Sequence, residues 1–215
     1  MALNIQIAEL RKDYKQQILF ETEADADPIK QFGKWWDEAI KSQAEEINAM
    51  TLATCNNKGY PSARIVLLKG FSEEGFIFFT NYESRKGIEI RQNPHACLVF
   101  FWKELERQVR IEGEVKKINE AESNEYFLVR PKESRLSAWS SPQSRVIKAR
   151  DVLEEKVEHY RQVFADGNIP RPEHWGGYIV KPFLIEFWQG RASRLHDRLQ
   201  YSLIEKNWHI DRLAP

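Results

Sequence analysis

ARIVLLKGFSEEGFIFFTNYESRK, residues 63–86, reads as two apolar strands joined by a Ser-Glu-Glu-Gly turn, and then as a turn that enters a helix at Ser84. Four cations sit in this stretch. Arg64 and Lys69 flank the run Ile65, Val66, Leu67 and Leu68, and a charge inside a strand that buries both faces is costly unless it is paired. Ser84 is a good N-cap, which puts Arg85 and Lys86 in the first turn of the helix, where cations oppose the macrodipole. A phosphate held by the free backbone N–H groups and by those side chains would turn the conflict into a site. The plain alternative is that Arg85 and Lys86 are solvated surface charge.

Working outward, the same strand signature continues on both sides. AMTLATC closes at NNKG, PSARIVLLKGF at SEEG and HACLVFFW at KELE, with GFIFFTN between them and RQVRIEGEVKKI last. These five strands between residues 49 and 118 predict an antiparallel barrel or sandwich. Before them, Asp27-Pro28 reads as an N-cap with proline at the first helical position, opening an amphipathic helix over about 28–45. After them, Asn119 and Glu122 form a capping box for a helix to about Leu128, stopped by Pro131 and followed by a PKES loop. Residues 144–164 are expected to be mostly helical. Short strands GYIVKP and FLIEFWQG follow, and past a basic loop comes a pair from LQYSLIEK and WHIDRL. The expectation is one α+β domain over residues 28–215, built on an antiparallel barrel with flanking helices, preceded over residues 1–27 by a marginal helix and the acidic linker ETEADAD.

Composition narrows the function classes. Lys and Arg total 32 and Asp and Glu total 32, so no overall field draws the chain to nucleic acid or an acidic membrane, and any basic site is local. Cys55 and Cys97 lie in apolar strands without zinc or CxxC spacing, which favours free thiols in a reducing compartment. No signal peptide or membrane-length apolar run is visible, so a cytoplasmic protein is expected. The histidines show no metal-ligand spacing, and no Walker loop, GxSxG elbow or GxGxxG fingerprint occurs. An enzyme built from this chain needs an organic cofactor to supply its reactivity.

Two further groups carry candidate chemistry. Arg194 and His196, two apart in GRASRLHDR, project to the same side of an extended segment and suit one flat ligand. Tyr126 and Arg130, four apart on a helix face, offer with Ser134 the donors a phosphate monoester accepts, though such a pair is also ordinary packing plus surface charge. Gln143 and Ser144 read equally well as a polar cap with no ligand.

Taken in order, RIVLLK (64–69), FFTN with SRK (78–86), ERQVRIEG (106–113), SPQS (141–144), WGGY (175–178), FWQG (187–190), RLHDR (194–198) and the terminal DRLAP resemble the pyridoxine/pyridoxamine 5′-phosphate oxidase family. The resemblance implies an FMN-binding split β-barrel with a Greek-key-like antiparallel sheet. It also implies a homodimer with FMN at the interface, and oxidation of pyridoxamine or pyridoxine 5′-phosphate to pyridoxal 5′-phosphate by dioxygen. On the family pattern, Arg64, Arg85, Lys86, Gln143 and Ser144 match the FMN phosphate and ribityl positions, with Ile65, Val66, Leu67, Leu68, Lys69, Phe79 and Thr80 beside them. Gln108, Trp188 and Arg198 match positions near the flavin ring. Lys69, Tyr126, Arg130 and Ser134 match the grip on the substrate phosphate, Arg194 and His196 the catalytic residues against the pyridine ring, and Arg11 and Tyr14 the family's mobile N-terminal segment, residues 1–27 here, that closes over the substrate. Phe79 departs from the tyrosine common in the family. The alternatives are a phenazine-pathway type of flavin oxidase on the same barrel, or a non-catalytic flavin- or pyridoxal-phosphate-binding protein.

Overall fold

The computed structural model describes residues 17–215, so Arg11 and Tyr14 lie outside the described residues. In chain order the described elements are α1 (Pro28–Lys41), β1 (Ala49–Cys55), β2 (Pro61–Leu67), β3 (Gly70–Ser72), β4 (Gly75–Asn81), α2 (Arg85–Gln92), β5 (His95–Trp102), β6 (Arg107–Lys117), α3 (Glu120–Leu128), α4 (Lys132–Ser140), α5 (Asp151–Val163), β7 (Trp175–Gln189), β8 (Asp197–Ile204) and β9 (Asn207–Arg212). They fall into two compact units, one holding residues up to 47 with 99–111 and 183–215, the other holding 48–98 and 112–182. No helix among the described residues is long and apolar enough to cross a membrane.

In the first unit α1 starts because the Asp27 carboxylate accepts the Ile29 N–H at 2.8 Å and Pro28 needs no hydrogen-bond acceptor at the first turn. The helix ends at Lys41, short of the expected 45. Ser42 donates its N–H to Glu38, and Gln43 then turns into the left-handed region at φ 56°. Phe32, Trp35 and Ala39 face inward at helical spacing. Phe32 packs on Phe100 at 5.3 Å, and Trp35 meets Phe187 edge-on at 5.1 Å. Strands β7, β8 and β9 pair antiparallel, with Phe187 opposite Leu199 and Tyr201 opposite Ile210. A buried arginine completes this core. Arg107 lies over the Trp35 ring at 4.3 Å and binds Glu38 at 2.6 Å and Gln189 at 2.9 Å, so its charge is paired where it is desolvated.

The second unit holds β1, β2, β3 and β4, which take their places in the strand order β2-β1-β5-β6-β7-β4-β3. β1 and β2 form a hairpin in which Thr54 faces Ser62 and Leu52 faces Arg64. Here the structure corrects the sequence reading twice. PSARIVLLKGF is not one strand: the Leu68 N–H goes to Asn48 and the Lys69 N–H to Ile77, so the chain changes partner between β2 and β3. Nor does β2 bury both faces. It ends the sheet order and alternates exposed with half-buried positions, leaving Ile65 64% and Leu67 39% exposed.

Three more expectations are corrected. Pro131 does not open a loop but stands at the N-cap of α4, so Ser134 is helical. Residues 144–150 are irregular, with Ser144 at φ 70°, and regular helix begins only at Asp151. GYIVKP and FLIEFWQG form one 15-residue strand. Pro182 is tolerated because the ladder to β4 stops at Val180 and the ladder to β8 starts at Leu184.

Gly87 fixes how α2 sits. A Cβ there would lie 2.2 Å from the Tyr82 carbonyl oxygen, and Tyr82 is itself held by its N–H to His174 at 2.6 Å and its hydroxyl to Gly177 at 3.3 Å. An exposed helical glycine gains up to about 1 kcal/mol from alanine. Gly87→Ala should instead lose about 1–3 kcal/mol through overpacking. Urea unfolding reads the sign, and a stabilised variant would mean that the Tyr82 turn yields freely.

Candidate active site

The second unit contains a cavity of about 960 Å³, within the upper range for a small-molecule site. One wall is built by the β2 edge and by the β4-to-α2 turn. Arg64, Ile65, Val66, Leu67 and Lys69 come from the first, and Phe79, Thr80, Arg85 and Lys86 from the second. Leu68 does not line it, being 4% exposed and turned into the core. Arg64 and Lys69, five apart and so on opposite faces of any single regular strand, both reach the cavity because Lys69 lies beyond the end of β2.

Ser84 caps α2 through its hydroxyl, which accepts from Gly87 N, and Lys86 follows in the first turn. The Lys86 ammonium is nearly buried, and its hydrogen-bond partners are neutral oxygens: Thr80 at 3.2 Å, Ser84 at 3.3 Å and Gln143 at 3.4 Å. Burial, with the nearby Arg64 charge, pushes its pKa down to about 8. A buried cation among neutral acceptors beside a second cation is a place an anion would stabilise. Arg64 is held by the Leu52 carbonyl at 3.2 Å, by Thr54 at 2.6 Å and by the Ser62 hydroxyl. Sequence reasoning passed over the group beneath it, Glu89, whose only signal was its four-residue spacing from Arg85. Burial alone would raise the Glu89 pKa, but hydrogen bonds from Ser62, Thr54 and Arg85 hold it down to about 2.

The opposing part of the lining comes from α3, α4 and the start of β7. Phe79, Tyr126 and Trp175 stack nearly parallel, at 3.9 Å for the first pair and 5.4 Å between Phe79 and Trp175. Phe79 thus serves as a stacking face, which needs no hydroxyl. Arg130 does not share a helix face with Tyr126, since α3 ends at Leu128. Its guanidinium instead covers Trp175 at 4.5 Å, and its Nη1 is buried with no hydrogen-bond partner among the described residues. An unsatisfied buried donor in a cavity wall is a site for an acceptor oxygen. Ser134, Gln143 and Ser144 line the same space.

The remaining expected residues belong to the first unit. Gln108 is half-buried on β6, and Trp188 faces Arg198 across the β7–β8 ladder. Arg198 binds Glu186 at 2.8 Å, on the carboxylate that Arg110 also holds at 2.7 Å. Arg194 and His196 are not on an extended segment. Residues 192–194 form a tight turn, with Ser193 at φ 56° and Arg194 at φ 63°. His196 is fixed by the Arg191 N–H donating to its Nδ1 at 3.1 Å and by Trp188 at 4.6 Å between rings. Burial and then the Arg194 charge lower its pKa, so the ring is neutral near pH 7 with its proton on Nε2.

An antiparallel sheet with flanking helices and a cavity rich in cations and stacked aromatics defines the split-barrel class, and solved structures bear this out. A PhzG crystal structure from Burkholderia lata, in complex with tetrahydrophenazine-1-carboxylic acid, aligns at TM-score 0.86 and 28% identity over 92% of this chain and 98% of that one. A pyridoxamine 5′-phosphate oxidase-related, FMN binding protein from Nostoc punctiforme aligns at TM-score 0.69 and 18% identity over 89% and 100%. The family described as pyridoxamine 5′-phosphate oxidase matches residues 36–164, and the C-terminal dimerisation region of pyridoxine 5′-phosphate oxidase matches 175–215. Relatives called pyridoxine/pyridoxamine 5′-phosphate oxidase are 55% identical in Acaryochloris marina, over 97% of this chain and 95% of the relative, and 57% in another Nostoc punctiforme protein, over 97% and 98%. The chain belongs to the pyridoxamine 5′-phosphate oxidase family and is an oxidoreductase.

The Lys86 environment gives a pH signature. Its pKa falls from 10.5 to about 8 on folding, so between those values the unfolded chain holds a proton that the folded chain lacks. Stability contributed by this group therefore rises with pH across that window, and below pH 8 the cost of the buried charge is fully present. At about 1.4 kcal/mol per unit, that cost is on the order of 3 kcal/mol. In ligand-free protein, Lys86→Met should be more stable than the parent at pH 7, and its advantage should shrink towards pH 10.5. Chemical denaturation at both pH values measures this, and a constant difference would contradict the assignment.

Proposed function

We propose that the chain is an FMN-dependent oxidase that converts pyridoxamine 5′-phosphate and pyridoxine 5′-phosphate to pyridoxal 5′-phosphate in the cytoplasm. The observation that carries this reading is the presence of two cation groups on one cavity with an aromatic stack in its wall: Arg64, Arg85 and Lys86 from β2 and α2, and Lys69 with Arg130 from the β2 end and the α3–α4 junction. Two phosphate monoesters, one on the cofactor and one on the substrate, suit that arrangement.

FMN fits the residues present. Lys86 lacks an anionic hydrogen-bond partner, and the FMN phosphate supplies one beside Arg64, with Arg85, Gln143 and Ser144 assisting. Ile65, Val66, Leu67, Thr80 and Phe79 flank the rest of the cofactor, while Gln108, Trp188 and Arg198 are assigned to the flavin ring. When bound, FMN would supply the acceptor for a hydride from the substrate 4′ carbon, with dioxygen as the final oxidant and hydrogen peroxide as its product, and for the amine substrate water would supply the aldehyde oxygen as ammonia leaves.

The chain's own task is to bind and orient. Arg130 places its unsatisfied Nη1 on the substrate phosphate together with Lys69, Tyr126 and Ser134, a remote grip whose binding energy fixes the reacting end. His196 offers its Nε2 proton to a polar atom of the pyridine ring, and Arg194 covers the ring, so that the 4′ carbon is held at near-attack distance. Arg11 and Tyr14 are assigned to closure over the substrate. The dimerisation region supports a homodimer, and the flavin is placed at its interface, where the exposed Ile65 and Leu67 on the β2 edge are suited to a partner chain. The fold match to a phenazine-bound protein favours one rival substrate class, which turnover with pyridoxamine 5′-phosphate separates.

Removing one partner of a desolvated charge pair costs about 2–5 kcal/mol, at about 1.4 kcal/mol per tenfold in affinity. Arg64→Ala should therefore purify largely colourless, its FMN affinity reduced by more than about tenfold. Arg130→Ala should retain FMN and chiefly raise the KM for pyridoxamine 5′-phosphate. Peroxide release coupled to aldehyde formation tests the reaction, and wild-type flavin occupancy in Arg64→Ala would refute the phosphate assignment.

A further inference from the structure

Glu89 is a carboxylate placed where an anion site should tolerate none. Its side chain is 5% exposed, inside α2 and one turn from the cations Arg85 and Lys86. A negative charge there weakens anion binding by direct repulsion, so it needs a compensating role. The hydrogen bonds identify one.

Oε2 accepts from the hydroxyls of Thr54 at 2.6 Å and Ser62 at 2.5 Å, which face one another across the β1–β2 ladder. Each hydroxyl has one proton. Because both protons are committed to Glu89, both oxygens are left as acceptors, and both take N–H groups from Arg64: Nη1 on Thr54 at 2.6 Å and Nη2 on Ser62. Arg64 also gives Nη1 to the Leu52 carbonyl, and its Nη2 lies 3.5 Å from Glu89 Oε2 itself, a long direct ion pair beside the two shorter hydroxyl-mediated contacts. The guanidinium is therefore clamped on its η side. Its Nε–H has no partner among the described residues. The other carboxylate oxygen, Oε1, accepts Arg85 Nε at 2.8 Å and leaves both η nitrogens of Arg85 without a partner among the described residues.

Resting on the reading that this cluster holds the FMN phosphate, we propose that Glu89 is a positioning residue for the phosphomonoester, orienting Arg64 chiefly through the Thr54–Ser62 hydroxyl pair, with its own longer contact in support, and Arg85 directly. One carboxylate against Arg64, Arg85 and Lys86 also leaves the cluster at a net charge of about +2 when all four groups are ionised, which matches a phosphomonoester dianion near neutral pH. A neutral amide cannot replace it. An amide has one acceptor end and one donor end. If its NH2 faces the hydroxyls, they must turn their protons towards Arg64; if it faces Arg85, two donors oppose.

The test separates phosphate positioning from general packing by comparing FMN with riboflavin, which lacks the phosphate. Cofactor-stripped full-length protein is titrated with each by flavin fluorescence. Glu89→Gln should weaken FMN at least tenfold and leave riboflavin within about twofold of the parent. Equal loss of both ligands would make Glu89 a packing residue, and unchanged or tighter FMN binding would make it only a repulsive charge; either overturns the proposal. If Glu89→Gln does not fold, Ser62→Ala on the edge strand β2 takes its place, since it breaks the relay without altering charge, and the same selective loss of FMN is required. Arg64→Ala is measured alongside. Wild-type FMN binding there would remove the phosphate reading itself, whereas loss there with FMN binding retained in Glu89→Gln would remove the positioning role alone.

Discussion

The mutual repulsion of Arg64, Arg85 and Lys86 is the constraint around which the second unit is arranged. Three cations converge on the N-terminal turn of α2, where the helix dipole adds a further positive contribution. Nothing in local propensity favours that arrangement. It persists because β1, β2 and α2 each contribute to restraining it: hydroxyls and a carbonyl from the hairpin, a carboxylate from the helix and the cap hydroxyl of Ser84. The strain is concentrated on Lys86, whose charge finds neutral acceptors alone within hydrogen-bond distance and whose proton is correspondingly loosened. A ligand phosphate would release that strain, so ligand-binding energy and folding energy are linked at this turn.

Much of this was legible in the sequence because the signals were local. Asp27-Pro28, Ser84 and Asn119 announce helix starts through their own side chains, and each caps as expected. Apolar strand segments bounded by turn signals, such as GFIFFTN and HACLVFFW, fall where those signals put them. The errors arose where a partner, not a propensity, decides. PSARIVLLKGF has no turn signal between its apolar run and Phe71, yet it breaks at Leu68 because its two halves pair with different neighbours. Pro182 reads as a strand end and is instead accommodated between two ladders of one strand.

The site divides the same way. Arg64, Lys69, Arg85, Lys86, Tyr126, Arg130 and Ser134 stand out by residue type, and the fold brings them to one cavity. Their reasons for being there were partly misread. Arg64 is not a charge trapped between two buried faces but an edge-strand residue clamped from beneath. Arg130 works from beyond the end of α3, by lying on Trp175, and not by helical spacing with Tyr126. Glu89 was missed because a lone carboxylate on a helix has no signature until the chain is folded, and Trp175, quoted within WGGY, had no role until the fold set it against Phe79 and Arg130.

The loop at residues 190–198 shows a different economy. Ser193 and Arg194 both occupy the left-handed region, which costs a non-glycine residue of order 1 kcal/mol or more. That conformation is offset by fixed contacts on either side of it: the Gly190 N–H to the Glu106 carbonyl at 2.7 Å, the Arg191 N–H to His196, and Asp197 bound to Arg212 at 2.9 Å. Arg194 is left exposed between these anchors, with its backbone direction set before any ligand arrives. The same contacts decide the protonation of His196, because a backbone N–H directed at Nδ1 excludes a proton there and a neighbouring guanidinium opposes a second one. A histidine with one defined tautomer and no charge near neutral pH is a directional donor. That suits recognition of a polar ring edge better than general acid chemistry, which would require the proton to leave and return.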